Sequence, residues 1–326
     1  MIIDVQHHYV PRQLAVQHGW SQGRVVHLTR EGQRWVTIHD RLCDLDWQLR
    51  DMDAAGVDAA VLSSFFGWDA PAEICQQIND DLAEIQYRYR GRFFGFAHIP
   101  LGEPDHGLRE LMRAVQELRL VGVTIMSQVE GHLLDDPWLW PFYDAVQALD
   151  VPIYVHPVMY AGGHVGTDQY DLGRIIGREF DLITCATRLI AGGVLERFPR
   201  LRFIISHFGG GIAAVKDRIR KKAFRFNSNL PLDFDTYFNR LYFDTAGFEI
   251  SQGALRCALT GIQPERLVFG TDYPQDFSAV ATDTGVQGEG IRAYIQLIEG
   301  ELGHTAPLVL GDTLADLLHL SSRKDG

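Results

Sequence analysis

The chain has 326 residues, 46% of them hydrophobic, with glycine and proline spread throughout, which is enough to bury one large core or two ordinary ones. Its 42 acidic against 30 basic residues give a formal charge of -12, which repels phosphate backbones and sets nucleic-acid binding aside in favour of small-molecule chemistry. Cys43, Cys75, Cys185 and Cys257 lie far apart with no CxxC spacing, so neither a zinc knuckle nor a disulfide framework is expected, and a reducing cytoplasm is.

From the N-terminus there is no basic segment followed by an apolar signal core, and no apolar run reaches the roughly 18 residues of a membrane span, so a soluble protein is expected. MIIDV (1–5) is an apolar run that enters Gln6-His7-His8, as in a buried strand ending at a metal. With side chains alternating, Gln6 and His8 share a face and His7 points the other way; a bulge would be needed to bring His7 round. Residues 24–39 predict two short strands around Arg30-Glu31-Gly32, a hairpin within an insertion covering 12–42. Helical periodicity in 44–56, 71–91 and 137–150 separates further apolar runs at 57–65, 92–99, 120–126, 151–156, 201–207, 240–246 and 265–272. Eight such runs alternating with helices predict parallel β/α units. The expected fold is therefore α/β, a distorted TIM-type (β/α)8 barrel over 1–326 as one domain. The Gly-rich, aromatic stretch 159–171 directly follows the run ending at His156 and is expected to be a lid-like loop.

Polar residues stand where these runs finish: Gln6 and His8, His98, His156, His207, Asp244 and Asp272. In such barrels catalytic groups come from the C-terminal ends of several strands, whereas polar groups deeper in a strand face the core at a desolvation cost. Each residue alone has a structural reading; together they make a site. Phe65 and Trp68 follow a strand and could wall an aromatic ligand, although packing explains them too. KDRIRKKAFR (216–225) reads as a solvated basic helix face. HFGGG (207–211) has neither the lysine nor the spacing of a phosphate-binding loop.

Five stretches, DVQHHYVP (4–11), LDDPWLWPFYDAVQALDVPIYVHP (134–157), CATRLIAGGVLERFPRLRFIISHFGGG (185–211), LYFDTAG (241–247) and ERLVFGTDYP (265–274), carry a family resemblance. They resemble the decarboxylase-type branch of the amidohydrolase superfamily, which includes aminocarboxymuconate semialdehyde decarboxylase. The resemblance implies one divalent metal, Zn2+ or Mn2+, with His8, His156 and Asp272 as ligands. Gln6 stands where the family has His or Glu, so it is a weak ligand or none. It implies His207 as the acid-base residue, and Arg218 as the partner of a substrate carboxylate, from its own subunit or a neighbour's, since relatives are commonly dimers. The implied activity is metal-assisted, non-oxidative decarboxylation of a hydroxylated aromatic or unsaturated carboxylic acid, with Asp272 or His207 delivering the proton. Lactone hydrolysis or double-bond hydration on the same scaffold is the alternative, metal-free if Gln6 abolishes the metal. A non-catalytic ligand-binding relative is the third reading.

Overall fold

The computed structural model describes residues 1–30, 32–161, 166–226, 229–248, 251–274 and 288–320. Eight strands form one sheet: β1 (Ile3–His8), β2 (Ala59–Ser63), β3 (Phe93–His98), β4 (Gly122–Met126), β5 (Ile153–His156), β6 (Phe203–Ile205), β7 (Tyr242–Asp244) and β8 (Leu267–Val268). They pair in chain order, each parallel to the next. The sheet closes where Val5 N donates to Phe269 O at 2.9 Å and His8 N to Tyr273 O at 2.8 Å. This is the expected barrel. With both sheet faces covered, the strands stay buried and nearly continuous in apolar sequence, and β2 and β5 are buried at every position.

Inside the barrel Ile3, Val5, Ala59, Val61, Phe96, Tyr154, Ile204 and Val268 pack together, joined by Leu314, Leu317 and Leu318 from near the C-terminus. The helices expected at 44–56, 71–91 and 137–150 appear as Leu45–Ala55, Ala72–Arg88 and Trp140–Leu149. The first is capped by Asp44, whose carboxylate accepts from Trp47 N at 3.0 Å, and ends at Gly56 in the left-handed conformation. The insertion after β1 forms the antiparallel hairpin Val26–Arg30 and Gln33–Ile38, with Glu31 outside the described residues, and it also carries a short helix, Arg12–Gln17. A second small hairpin, Gln128–Val129 with His132–Leu133, had no clear sequence signal. Of the lid-like stretch 159–171, residues 162–165 lie outside the described residues. The last three strands are shorter than their apolar runs, because the chain leaves the sheet early to present polar residues. Among the described residues, no helix is long and apolar enough to cross a membrane.

Strand β1 contains the bulge that the sequence left open. Between Asp4 and His7 it advances three residues while β2 advances two. Asp4 holds the irregularity by accepting from Gln6 N at 3.1 Å, Thr271 N at 3.0 Å and His7 Nδ1 at 2.9 Å. The bulge does not turn His7 inward: its ring stacks on Tyr273 with centroids 4.3 Å apart. Gln6 and His8 keep the shared face.

Candidate metal centre and cavity

His8 ends β1, His156 ends β5, and Asp272 lies in the turn beyond β8. One potential ligand atom from each lies within 4.8 Å of the others, and all three residues are buried. Asp272 has φ 57° and His207, just past β6, has φ 54°. Non-glycine residues held in the left-handed region cost on the order of 1–3 kcal/mol each and cluster at functional sites.

Each ligand candidate is oriented by a neighbour. His8 Nε2 donates to Asp272 Oδ1 at 2.7 Å, and its Nδ1 meets Ser63 Oγ at 3.1 Å. His156 Nδ1 donates to Pro157 O at 2.7 Å, which leaves its Nε2 as a bare acceptor, buried and without a hydrogen-bond partner. Trp68 stacks on that ring at 4.1 Å and is itself fixed by its indole N–H, which donates to Thr124 Oγ1 at 3.1 Å. Burial, then the charges of His8, Arg178 and His207, hold the His156 pKa well below its ordinary value, so the ring is neutral, the form that binds metal. Burial pushes the Asp272 carboxyl upward, but the hydrogen bond from His8 and the nearby positive charges outweigh it and hold the group below the usual carboxylate range. Gln6 Nε2 donates to Asp272 Oδ1 at 2.8 Å, while its Oε1 is buried without a partner. Two unpartnered acceptors beside a carboxylate and a second imidazole fit a divalent cation.

A second unit adjoins this one. His207 Nδ1 donates to Glu179 Oε1 at 3.0 Å, and its Nε2 lies 3.4 Å from Gln6 Nε2. The backbone N–H of His207 donates to Asp244 Oδ1 at 2.7 Å, and Asp244 Oδ2 accepts from Tyr154 at 2.6 Å, so the strand-end Asp244 positions His207. Burial pulls the His207 pKa down, but the charge and hydrogen bond of Glu179, with Asp272 behind them, push it up to about 9. Gly210 permits this pairing. A Cβ there would overlap the backbone oxygen of Glu179, and its φ of +70° disfavours any side chain. The HFGGG stretch is thus a packing device against the helix Arg178–Ala191.

A cavity of about 300 Å³ opens over both units. His156, His207 and Asp272 line it together with Phe65, Trp35, Met159 and Ile175, and Arg174, Arg178 and Glu179 complete the wall. Phe65 is a wall residue as expected, 4.4 Å from the His8 ring, whereas Trp68 braces His156 from behind. His98 stands apart: its Nε2 accepts from Ser64 N at 3.0 Å, and burial holds its pKa down at about 3, so it is a structural residue. Arg218 is exposed on the helix Ala213–Lys222, none of whose residues is buried, and it is not among the residues lining the cavity of its own chain, which leaves contact with a neighbouring subunit's cavity as the form of the expectation still open. The cavity's guanidiniums are Arg174 and Arg178, and the sequence reading missed both, with Glu179. Their four-residue spacing in GRIIGREF, straight after the lid-like stretch, is the signal that would have placed them on one helix face.

Residues 3–300 match the amidohydrolase family. The chain belongs to that family. It is 30% identical over 269 residues to γ-resorcylate decarboxylase of Polaromonas sp., covering 74% of this chain and 80% of the relative. It is 27% identical over 256 residues to 2-amino-3-carboxymuconate-6-semialdehyde decarboxylase of Dictyostelium discoideum, covering 75% and 70%. Its fold superposes with a TM-score of 0.77 and 24% identity on a dihydroxybenzoic acid decarboxylase from Polaromonas sp., solved with manganese and the inhibitor 2-nitroresorcinol, covering 98% and 97%. The branch of the amidohydrolase superfamily expected from the sequence is the one these relatives occupy.

Proposed function

We propose that this amidohydrolase is a metal-assisted, non-oxidative decarboxylase of a hydroxylated aromatic or unsaturated carboxylic acid. The observation that carries the reading is the convergence of His8, His156 and Asp272 beside the Glu179–His207 pair, beneath an aromatic-walled cavity. His8, His156 and Asp272 would hold the metal, with Gln6 Oε1 as a weak further contact. A divalent ion there, Mn2+ or Zn2+, supplies Lewis-acid stabilisation of the negative charge that develops on the substrate.

The protein's own share of the reaction is positioning and proton transfer. Loss of CO2 leaves the electron pair of the broken C–C bond on carbon, which must gain a proton. His207 is assigned that step: Glu179 ties its Nδ1, and its Nε2 remains on the cavity side, next to Gln6. Asp272 fits the ligand role better, since its Oδ1 already accepts from His8 and Gln6. Phe65 and Trp35 offer faces for a flat substrate.

Lactone hydrolysis or hydration on the same scaffold would need the His207–Glu179 pair to take a proton from water, which the raised His207 pKa disfavours, and product analysis decides. Metal-loaded protein is incubated with a panel of hydroxylated benzoic and unsaturated acids. CO2 released in equal amount with the decarboxylated product supports the proposal; a product that has gained water without CO2 overturns it.

A further inference from the structure

We infer that Arg178, with Arg174 beside it, forms a subsite for a second anionic group of the substrate, one retained through the reaction, so that the preferred substrates are dianionic. The inference rests on the proposed decarboxylase reading and adds to it the charge class of the substrate. Both arginines line the cavity that holds His156, His207 and Asp272. Arg178 has a buried Nε with no hydrogen-bond partner, and it shares the cavity wall with His156, His207 and Asp272. Arg174 Nε lies 3.7 Å from Asp171 Oδ1, at the outer side of the same segment.

Among the described residues, Glu179 Oε1 accepts from His207 and Asp272 Oδ1 from His8 and Gln6, and no hydrogen bond ties Arg178 Nε. A guanidinium offers a planar fork that matches a carboxylate in two parallel hydrogen bonds. That carboxylate is not the one that leaves. As CO2 forms, the departing group loses its charge to the carbon skeleton, so a cation fixed on it would stabilise the ground state more than the transition state and slow the reaction. Arg178 is useful when it grips an anion that stays, since that contact is equally strong before and after the bond breaks and orients the ring throughout.

The segment that carries these arginines is built for a fixed position. Gly173–Gly177 winds as a π-helical turn directly before the helix Arg178–Ala191, and a Cβ at Gly177 would meet the backbone oxygen of Ala161 at 2.7 Å. The stretch following β5, at Ala161, and this turn are therefore pressed together.

The test uses a matched pair of ligands that differ only in the second carboxylate: 2-hydroxybenzoate and 4-hydroxyisophthalate. Their dissociation constants are measured by calorimetry on metal-loaded wild type, Arg178→Gln and Arg178→Lys, with metal content and melting temperature of each protein recorded. Wild type should bind the dianion at least about tenfold tighter, a preference of the size one charge-assisted pair supplies. Arg178→Gln should bring the ratio near one with metal content retained, and Arg178→Lys, which keeps charge without the fork, should fall between. Should Arg178→Gln fail to fold, the lysine variant decides by the same ratio. Equal binding of the two acids by wild type, or an unchanged ratio in the variants, overturns the subsite while leaving the decarboxylase reading in place. Binding of neither acid by metal-loaded wild type overturns the subsite for aromatic dianions, and the decarboxylase reading is then judged separately by CO2 release from the wider panel of acids.

Discussion

Replacing Gln6 by glutamate turns the weakest member of the centre into a charged one, and the structure sets the size of the effect. Gln6 Nε2 lies 2.8 Å from Asp272 Oδ1. A carboxylate in its place puts two like charges within about 4 Å, which at an effective dielectric near 20 costs about 4 kcal/mol. Without a cation that cost appears as lost stability or as uptake of a proton. With a cation the second carboxylate becomes a ligand, and even partial recovery of the cost tightens binding by about 10-fold to 1,000-fold at about 1.4 kcal/mol per decade. Gln6→His should tighten binding by less. Gln6→Ala loses one hydrogen bond to a charged acceptor, about 1.5–3 kcal/mol, and should weaken binding by no more than about 100-fold. Chelator competition, with retained metal quantified, ranks the variants, and urea unfolding with and without metal measures the widened gap in Gln6→Glu. A Gln6→Glu protein that binds metal no tighter than wild type, with unaltered metal-free stability, would refute the placement of Gln6 at the centre.

His207→Asn should lower turnover by about two orders of magnitude or more while leaving metal content unchanged; loss of metal would make His207 a ligand. His156→Ala and Asp272→Asn should each lose both metal and activity, and full metal stoichiometry in either variant would exclude that residue as a ligand. Asp244 gives a pH prediction. Burial, partly offset by His207 and the hydrogen bond from Tyr154, pushes its carboxyl up to about 6. The folded state therefore holds this proton above the unfolded value of about 3.9, and the group's contribution to stability falls by about 3 kcal/mol as pH rises from about 4 to about 6. Urea titrations across that range should show a flatter pH dependence for Asp244→Asn, and an identical slope would discount the shift.

The barrel was legible because parallel strands buried on both faces must be continuously apolar, and the polar residues that interrupt those runs had to be strand ends. That logic located His8, His156, His207, Asp244 and Asp272, and the structure brings three of them onto one cavity wall, with His8 bonded to Asp272 behind it and Asp244 holding His207. It could not sort His98 from the others. A buried histidine accepting a backbone N–H leaves the same trace in sequence as one facing a cavity. Glu179 was hidden because its partner is 28 residues away, across the barrel's own strand–helix crossover. Arg174 and Arg178 were hidden for the converse reason that a helix bearing arginines ordinarily faces water. Arg218 is exposed on a helix with no buried residue, so within this chain it has the environment that a helix bearing arginines ordinarily has.

The central claim is that the His8, His156 and Asp272 centre drives loss of CO2. Metal-free protein is titrated with Mn2+, and CO2 release from 2,6-dihydroxybenzoate and related hydroxylated acids is followed against metal bound per chain. The account requires no release at zero metal, a linear rise to one equivalent and a plateau beyond it. Undiminished CO2 release in excess chelator, or a rise that ignores the first equivalent, would contradict it.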